Sequence, residues 1–159
     1  VSREEASKFL ADYNASYPKL ANYIEITKRA AAQKGYTETL FGRRRYFPGF
    51  KSPLPNIRAQ AERMATNAPI QGTQSDIIKL AMVEADRVIE VEGWRDKAHL
   101  VMQVHDELVY EISEKDSEKI ARKIKDVMET VLSPKALEGV PIVVEVKVGE
   151  NWGEMKPLA

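Results

Sequence analysis

Cysteine is absent from the 159 residues, which excludes a disulfide framework and any thiolate metal site. No apolar run approaches the roughly 20 residues needed to cross a bilayer, and no signal-peptide pattern opens the chain. There is no internal repeat and no low-complexity segment. The apolar content is ordinary for a globular protein, so a real core can form. The length fits one domain or a substantial piece of a larger one. These absences lead to the expectation of a cytoplasmic protein with no membrane contact. The opening Val1, where a Met would stand, hints that the chain was cut from something longer.

Net charge is also absent overall, but not locally. Residues 1–67 hold 12 Lys/Arg against 6 Asp/Glu, a surplus of six positive charges. Residues 68–159 hold 12 against 18, a surplus of six negative ones. A polyanion partner for the first part and a cation site in the second would account for this. Uneven solvated faces would account for it as well.

What is present reads as helices followed by strands. Ser2 and Glu5 form a capping-box pattern, and Ala6, Phe9, Leu10, Tyr13 and Tyr17 follow at helical spacing. Pro18 suits the first position of a second helix, with Leu20, Ile24, Thr27 and Ala31 on one face and Gly35 at its end. "YTETLF" alternates like a short strand. "GRRRYFPGFKSPLP", rich in Gly, Pro and Arg, reads as an exposed loop. Helical pattern then runs from about Asn56 to Val91, with a kink or break expected at Pro69, which has no N–H to give the Ala65 carbonyl. Two buried strands near 99–104 and 107–112 are expected to meet tightly at His105-Asp106. Ser113 with Asp116 reads as the cap of a helix whose buried face is Ile120, Ile124, Val127, Met128 and Val131. "VPIVVEVKV" supplies a last strand near 142–148, and "GENWGEMKPLA" a polar tail. The fold class expected is α+β, with a small antiparallel sheet packed against helices.

Three constellations could carry chemistry. At the hairpin tip, Asp106 and Glu107 are adjacent, so their side chains leave opposite sides of the ribbon. One can hold a hard cation such as magnesium, which takes oxygen ligands and keeps several waters. A pair that merely solvates a turn is the other reading. His105 beside them suits donation to a phosphate or a sugar, or simple packing; His99 reads as an edge residue without a role. Next, Arg63, Asn67 and Gln71 recur every four residues, so an unbroken helix aligns these donors. Such a row matches the acceptors that every base pair shows in the DNA minor groove. Capping of a break by Asn67, or pairing of Arg63 with Glu62 or Asp76, would explain the same residues. Finally, Arg43, Arg44 and Arg45 in "FGRRRYF" sit beside aromatics, a composition that grips phosphates and stacks on unpaired bases.

Taken together, "YTETLFGRRRYFP", "AERMATNAPIQGTQSDIIKLAM", "QVHDELVYE" and "VPIVVEVKVGENW", in that order, resemble the C-terminal part of family A DNA polymerases. The resemblance implies a fingers portion over 1–55 and a palm portion over 56–159. It implies that Asp106 ligates catalytic Mg2+, that Glu107 assists, and that His105 lies near the primer terminus. Arg63, Asn67 and Gln71 would contact the primer–template minor groove, and Arg43, Arg44 and Arg45 would belong to the fingers. Primer–template DNA and deoxynucleoside triphosphates would be the partners, in a cytoplasmic, nucleoid-associated setting.

Departures from the family pattern shape the remaining expectations. The upstream Asp motif that supplies a second metal-bridging carboxylate is not in this sequence, nor is the fingers helix that binds the triphosphate, nor the thumb. The chain is therefore expected to work with the remainder of a polymerase and to be inactive alone. A subunit of a split polymerase, a non-catalytic DNA-binding remnant and a single-subunit RNA polymerase palm are the alternatives. The Glu after His-Asp and the "NAPIQGT" run favour the DNA enzyme over the last of these.

Overall fold

The computed structural model describes residues 1–158. The chain divides into two compact units, residues 1–73 and the residues from Gln74 onward, with the division inside one long helix. The architecture is α+β, as expected.

In the first unit, helix α1 (Arg3–Ser16) starts where the sequence indicates. The Ser2 side chain accepts from the Glu5 N–H at 3.2 Å while the Glu5 carboxylate accepts from the Ser2 N–H at 2.7 Å. Its apolar positions Phe9, Leu10 and Tyr13 are exposed. Helix α2 (Pro18–Lys34) opens on Pro18, ends at Gly35 and buries Ala31; Ile24 and Thr27 of its expected face are half-buried and Leu20 is exposed. Strand β1 (Tyr36–Glu38) follows and pairs antiparallel with β2 (Arg44–Tyr46).

That pairing corrects the expected loop over residues 42–55. Its start is a strand, and Pro48–Lys51 forms a turn of 3-10 helix. Cross-strand chemistry outweighs the loop-like composition here: the rings of Tyr36 and Tyr46 are 5.4 Å apart, and Arg44 bonds Glu38 at 2.8 Å. Phe47 then turns inward against Ala31, Ala61, Ala65 and Ala68.

Helix α3 (Pro55–Val91) runs 37 residues with Pro69 inside it. Of the kink or break expected at Pro69, the break is not there. A proline removes one N–H and fixes φ near −65°, a value that a helix accepts. Burial of Ala61, Ala65 and Ala68 in the turns leading up to Pro69 holds that part of the helix in place. With no break, Asn67 has no helix end to cap.

In the second unit, the end of α3, Trp94, Ala98 and Ile120, Ile124 and Val127 of helix α4 (Ser117–Thr130) form the core. Met128 packs against it as expected, and Val131 is half-buried. The helix is preceded by a 3-10 turn, Glu114–Asp116, and its start carries no side-chain cap from Ser113 or Asp116. The polar start is satisfied instead by the turn itself, in which the Asp116 N–H donates to the Ser113 carbonyl at 2.9 Å.

Strands β3 (Ala98–Val104) and β4 (Glu107–Ile112) make the expected hairpin, with a register irregularity between Leu100 and Met102. The hairpin is less buried than its apolar sequence indicates. Ala98 is buried in β3, but Leu100, Val101 and Met102 are exposed. Hydropathy marks apolar residues without saying whether anything lies over them. The last strand is also shorter than expected. Only β5 (Lys147–Val148) pairs, and with β6 (Lys156–Pro157) rather than with the hairpin. Pro141 has no N–H to give a ladder, and the Val144 N–H donates to the Glu129 carboxylate at 3.0 Å. The expected tail folds back through this pairing and a 3-10 turn at Trp152–Glu154; Ala159 lies outside the described residues.

Candidate functional site

Helix geometry dictates what residues 55–73 can present. At about 100° per residue, positions two apart lie on opposite sides of a helix. Ala61 and Ala65 are buried, so Arg63 and Asn67, each two positions on, look away from them, and Gln71, four beyond Asn67, continues along the flank of that face. All three are exposed. The unbroken helix thus displays a strip of a guanidinium and two amides along one solvent face, backed by small side chains that seat it closely on Phe47 and Ala31.

The three arginines of "GRRRYF" do not act as a group. Arg43 sends Nη2 to the Gly72 carbonyl at 2.9 Å. Arg44 bonds Glu38 and lies 4.7 Å from the Tyr36 ring centroid; the Glu38 bond is the largest of the effects that raise its pKa. Arg45 lies 5.7 Å from the Phe47 ring centroid. Alternation along β2 sends Arg44 and Arg45 to opposite faces.

Around Arg43 the loop between β1 and β2 closes on α3. Gly42 takes φ +78°, a value glycine adopts without steric cost. The Thr39 hydroxyl accepts from the N–H groups of Phe41 and Arg43, and the Leu40 N–H donates to the Thr73 hydroxyl at 2.9 Å. Gly72 has no room for a side chain, because a Cβ there would lie 2.6 Å from Thr39 Cγ2. Thr39, Gly72 and Thr73 were not singled out from the sequence. The glycine inside a helical pattern was the available signal, since such a residue costs about 1 kcal/mol relative to Ala and calls for a packing reason.

In the second unit, β3 and β4 are joined by His105 and Asp106 alone, with Val104 opposite Glu107. His105 holds φ +54°. Two-residue hairpins need positive φ in the turn and usually place Gly or Asn there. A histidine in that conformation costs roughly 1–2 kcal/mol. His105, Asp106 and Glu107 are all exposed. Asp106 is held by a residue that the sequence reading missed, as Gln74 Nε2 donates to its Oδ2 at 2.9 Å. The Gln103 amide donates to the His105 carbonyl at 3.1 Å and steadies the turn from its own strand. His99 lies across from Glu111 in the ladder and is exposed.

The donor set fits a hard cation in part. An ionised carboxylate offers about four lone-pair sites, and Gln74 uses one on Asp106. Glu107 adds a second carboxylate from the neighbouring position. Among the described residues, no group of three or more His, Asp or Glu side chains is arranged to hold a metal ion.

A family model described as DNA polymerase family A matches residues 1–154. DNA polymerase I of Rhizobium leguminosarum is 38% identical over 154 residues, which is 97% of this chain and 15% of that protein. The thermostable DNA polymerase I of Thermus aquaticus is 46% identical over 152 residues, 96% of this chain and 17% of that one. Among solved structures, the POL domain of Pol1 from M. smegmatis, in complex with DNA primer-template and dNTP, matches with a TM-score of 0.77 at 37% identity. That match covers 84% of this chain and 23% of the other. The chain spans about one sixth of the length of the curated relatives it matches.

Proposed function

The chain belongs to DNA polymerase family A, and from that premise we propose that it serves template-directed DNA synthesis, the transfer of a deoxynucleotide to a primer 3′-hydroxyl. Residues 1–55 serve as part of the fingers and residues 56–159 as part of the palm. The exposed strip Arg63, Asn67 and Gln71 is the observation that carries this reading. Donors at four-residue spacing meet the purine N3 and pyrimidine O2 acceptors of the minor groove, which occur in every base pair. The strip therefore senses base-pair shape without reading sequence. The primer-template and dNTP with which the M. smegmatis domain was solved support the same classes of partner here, in a cytoplasmic, nucleoid-associated setting.

Asp106 is the residue that would hold Mg2+, with Glu107 assisting. When bound, such ions assist loss of the hydroxyl proton and neutralise charge on the phosphate in transit. Gln74 fixes the Asp106 carboxylate through Oδ2, leaving its other lone pairs for the cation. His105, on the same turn, places a donor close to where a primer end would lie. Arg44 and Arg45 face solvent in the fingers portion and would meet the phosphate backbone. Two-metal transfer needs bridging carboxylates from more than one place in a fold. Asp106 and Glu107 supply one such place, so the remainder of a polymerase completes the reaction and the 159 residues alone are inactive.

Fluorescence anisotropy with labelled primer–template tests the strip. Gln71→Ala removes one hydrogen-bonding group, worth about 1 kcal/mol or roughly fivefold in affinity. The loss should be the same for every duplex sequence. A strongly sequence-selective defect, or none, would sink the minor-groove assignment. Primer extension by the isolated chain above the level of Asp106→Ala would overturn the inactivity.

A further inference from the structure

We infer that Arg43 is a positioning residue that sets Gln71 for the duplex, rather than a ligand for DNA phosphate. This rests on the minor-groove reading above and deepens it. The guanidinium reaches across from the β1–β2 loop to the carbonyl of Gly72, the residue next to Gln71. It does not reach alone. The Leu40 N–H bonds the Thr73 hydroxyl, and Thr39 packs against the bare backbone of Gly72 so closely that a Cβ would sit 2.6 Å from its methyl group. Loop and helix therefore meet at two consecutive residues directly after Gln71, at the backbone of Gly72 and the side chain of Thr73. The same loop is braced internally by the Thr39 hydroxyl, which accepts the N–H of Arg43 itself at 3.2 Å.

Three features suit this use. A planar guanidinium can bond a carbonyl while its remaining N–H groups meet other acceptors, which a lysine point charge does less well. The contact lies three residues beyond Pro69, in the turn just after the proline whose missing N–H leaves the preceding turn one backbone bond short. Finally, Gln71 has a long side chain on an exposed face, so the direction in which it leaves the helix depends on the backbone beneath it. Arg44 and Arg45 make no such link to α3 and keep the phosphate role.

The test is duplex binding by the full chain, measured across a range of salt concentrations, for Arg43→Ala, Arg43→Lys, Gln71→Ala and the Arg43→Ala/Gln71→Ala double variant. Positioning predicts that Arg43→Ala weakens binding by up to the roughly fivefold expected of Gln71→Ala. It also predicts that the double variant is no weaker than Gln71→Ala, and that the slope of log affinity against log salt stays unchanged. Arg43→Lys keeps the charge yet should lose part of the affinity. Hydrogen exchange at the Leu40 amide should accelerate in both Arg43 variants and not in Gln71→Ala. Thr73→Val, which removes the acceptor for Leu40 without touching Arg43, should reproduce a smaller part of the binding loss if Arg43→Ala proves unable to fold. A slope flattened by about one, full affinity in Arg43→Lys, or additive losses in the double variant would each overturn the positioning role. If instead Gln71→Ala itself leaves binding untouched, the minor-groove reading fails first, and the inference falls with it.

Discussion

The buried apolar positions of residues 1–73 are Ala31, Phe47, Ala61, Ala65 and Ala68, whereas those from Gln74 onward include Ile78, Val88, Ile89, Trp94, Ile120, Ile124 and Val127. Alanine contributes little apolar area, so the first unit is held by close backbone approach and by polar pins such as Arg43 on Gly72. The second relies on large side chains removed from water, at about 25 cal/mol per Å². Their hairpins differ in a parallel way. The β1–β2 loop meets its positive φ with Gly42, while the β3–β4 turn meets it with His105. A site that only needs to turn uses glycine. The other turn carries a histidine at positive φ, a strained choice where glycine would do.

The largest effect should come from the second core. Ile120 is fully buried, and Ile120→Ala should cost about 2–5 kcal/mol in urea unfolding; a loss below 1 kcal/mol would mean that this core collapses freely. In the first core Phe47 alone is large enough to lose as much, and the other buried apolar side chains are alanines. There the sensitive point is Gly72. Gly72→Ala should cost about 1–3 kcal/mol from the clash with Thr39, although Ala is the better helix former by about 1 kcal/mol. Adding Thr39→Ser removes the offending methyl, so the double variant should recover to near the parent or above it. No recovery would place the strain elsewhere.

The turns should respond with opposite signs. Gly42→Ala forces a side chain into positive φ and should lose about 1 kcal/mol. His105→Gly relieves the same strain and should gain up to about 1 kcal/mol, while weakening primer-end binding in a completed polymerase. Equal signs in thermal denaturation would break the comparison. The smallest effect concerns pH. Burial, helped by the charge of Asp86, pushes the Tyr110 hydroxyl from 10 up to about 12. The folded state thus keeps a proton that the unfolded chain releases first, and stability falls as pH rises from 10 toward 12. Tyr110→Phe should remove that part of the fall, read as urea midpoints at pH 9.5 and 11.

Local rules were enough to locate the helices, because Ser2–Glu5, Pro18 and Gly35 act within a few residues of themselves. The hairpin at His105-Asp106 was legible for the same reason. The partners of the site residues were not. Gln74 and Asp106 are 32 positions apart, and Arg43 and Gly72 are 29 apart, so no periodicity links them. Of the kink or break expected at Pro69, the break is absent, because propensity describes an isolated helix and tertiary burial outweighs it. The apolar run "LVMQV" misled in the opposite direction, since composition cannot say which face of a hairpin is covered.

The irregularity in β3 has a consequence for how this region can change. Leu100 pairs with Tyr110, but Met102 pairs with Val109, so Val101 is a surplus residue with no partner. A strand alternates its side chains in twos, and one surplus residue reverses the phase of everything after it. Val104, which would share a face with Ala98 in a regular strand, is turned to the other side, and the two-residue turn starts from that reversed phase. Substitutions at Val101 change one side chain. A deletion there would rewrite the sidedness of the strand leading into His105 and Asp106, so the tip should tolerate replacement far better than a change in length.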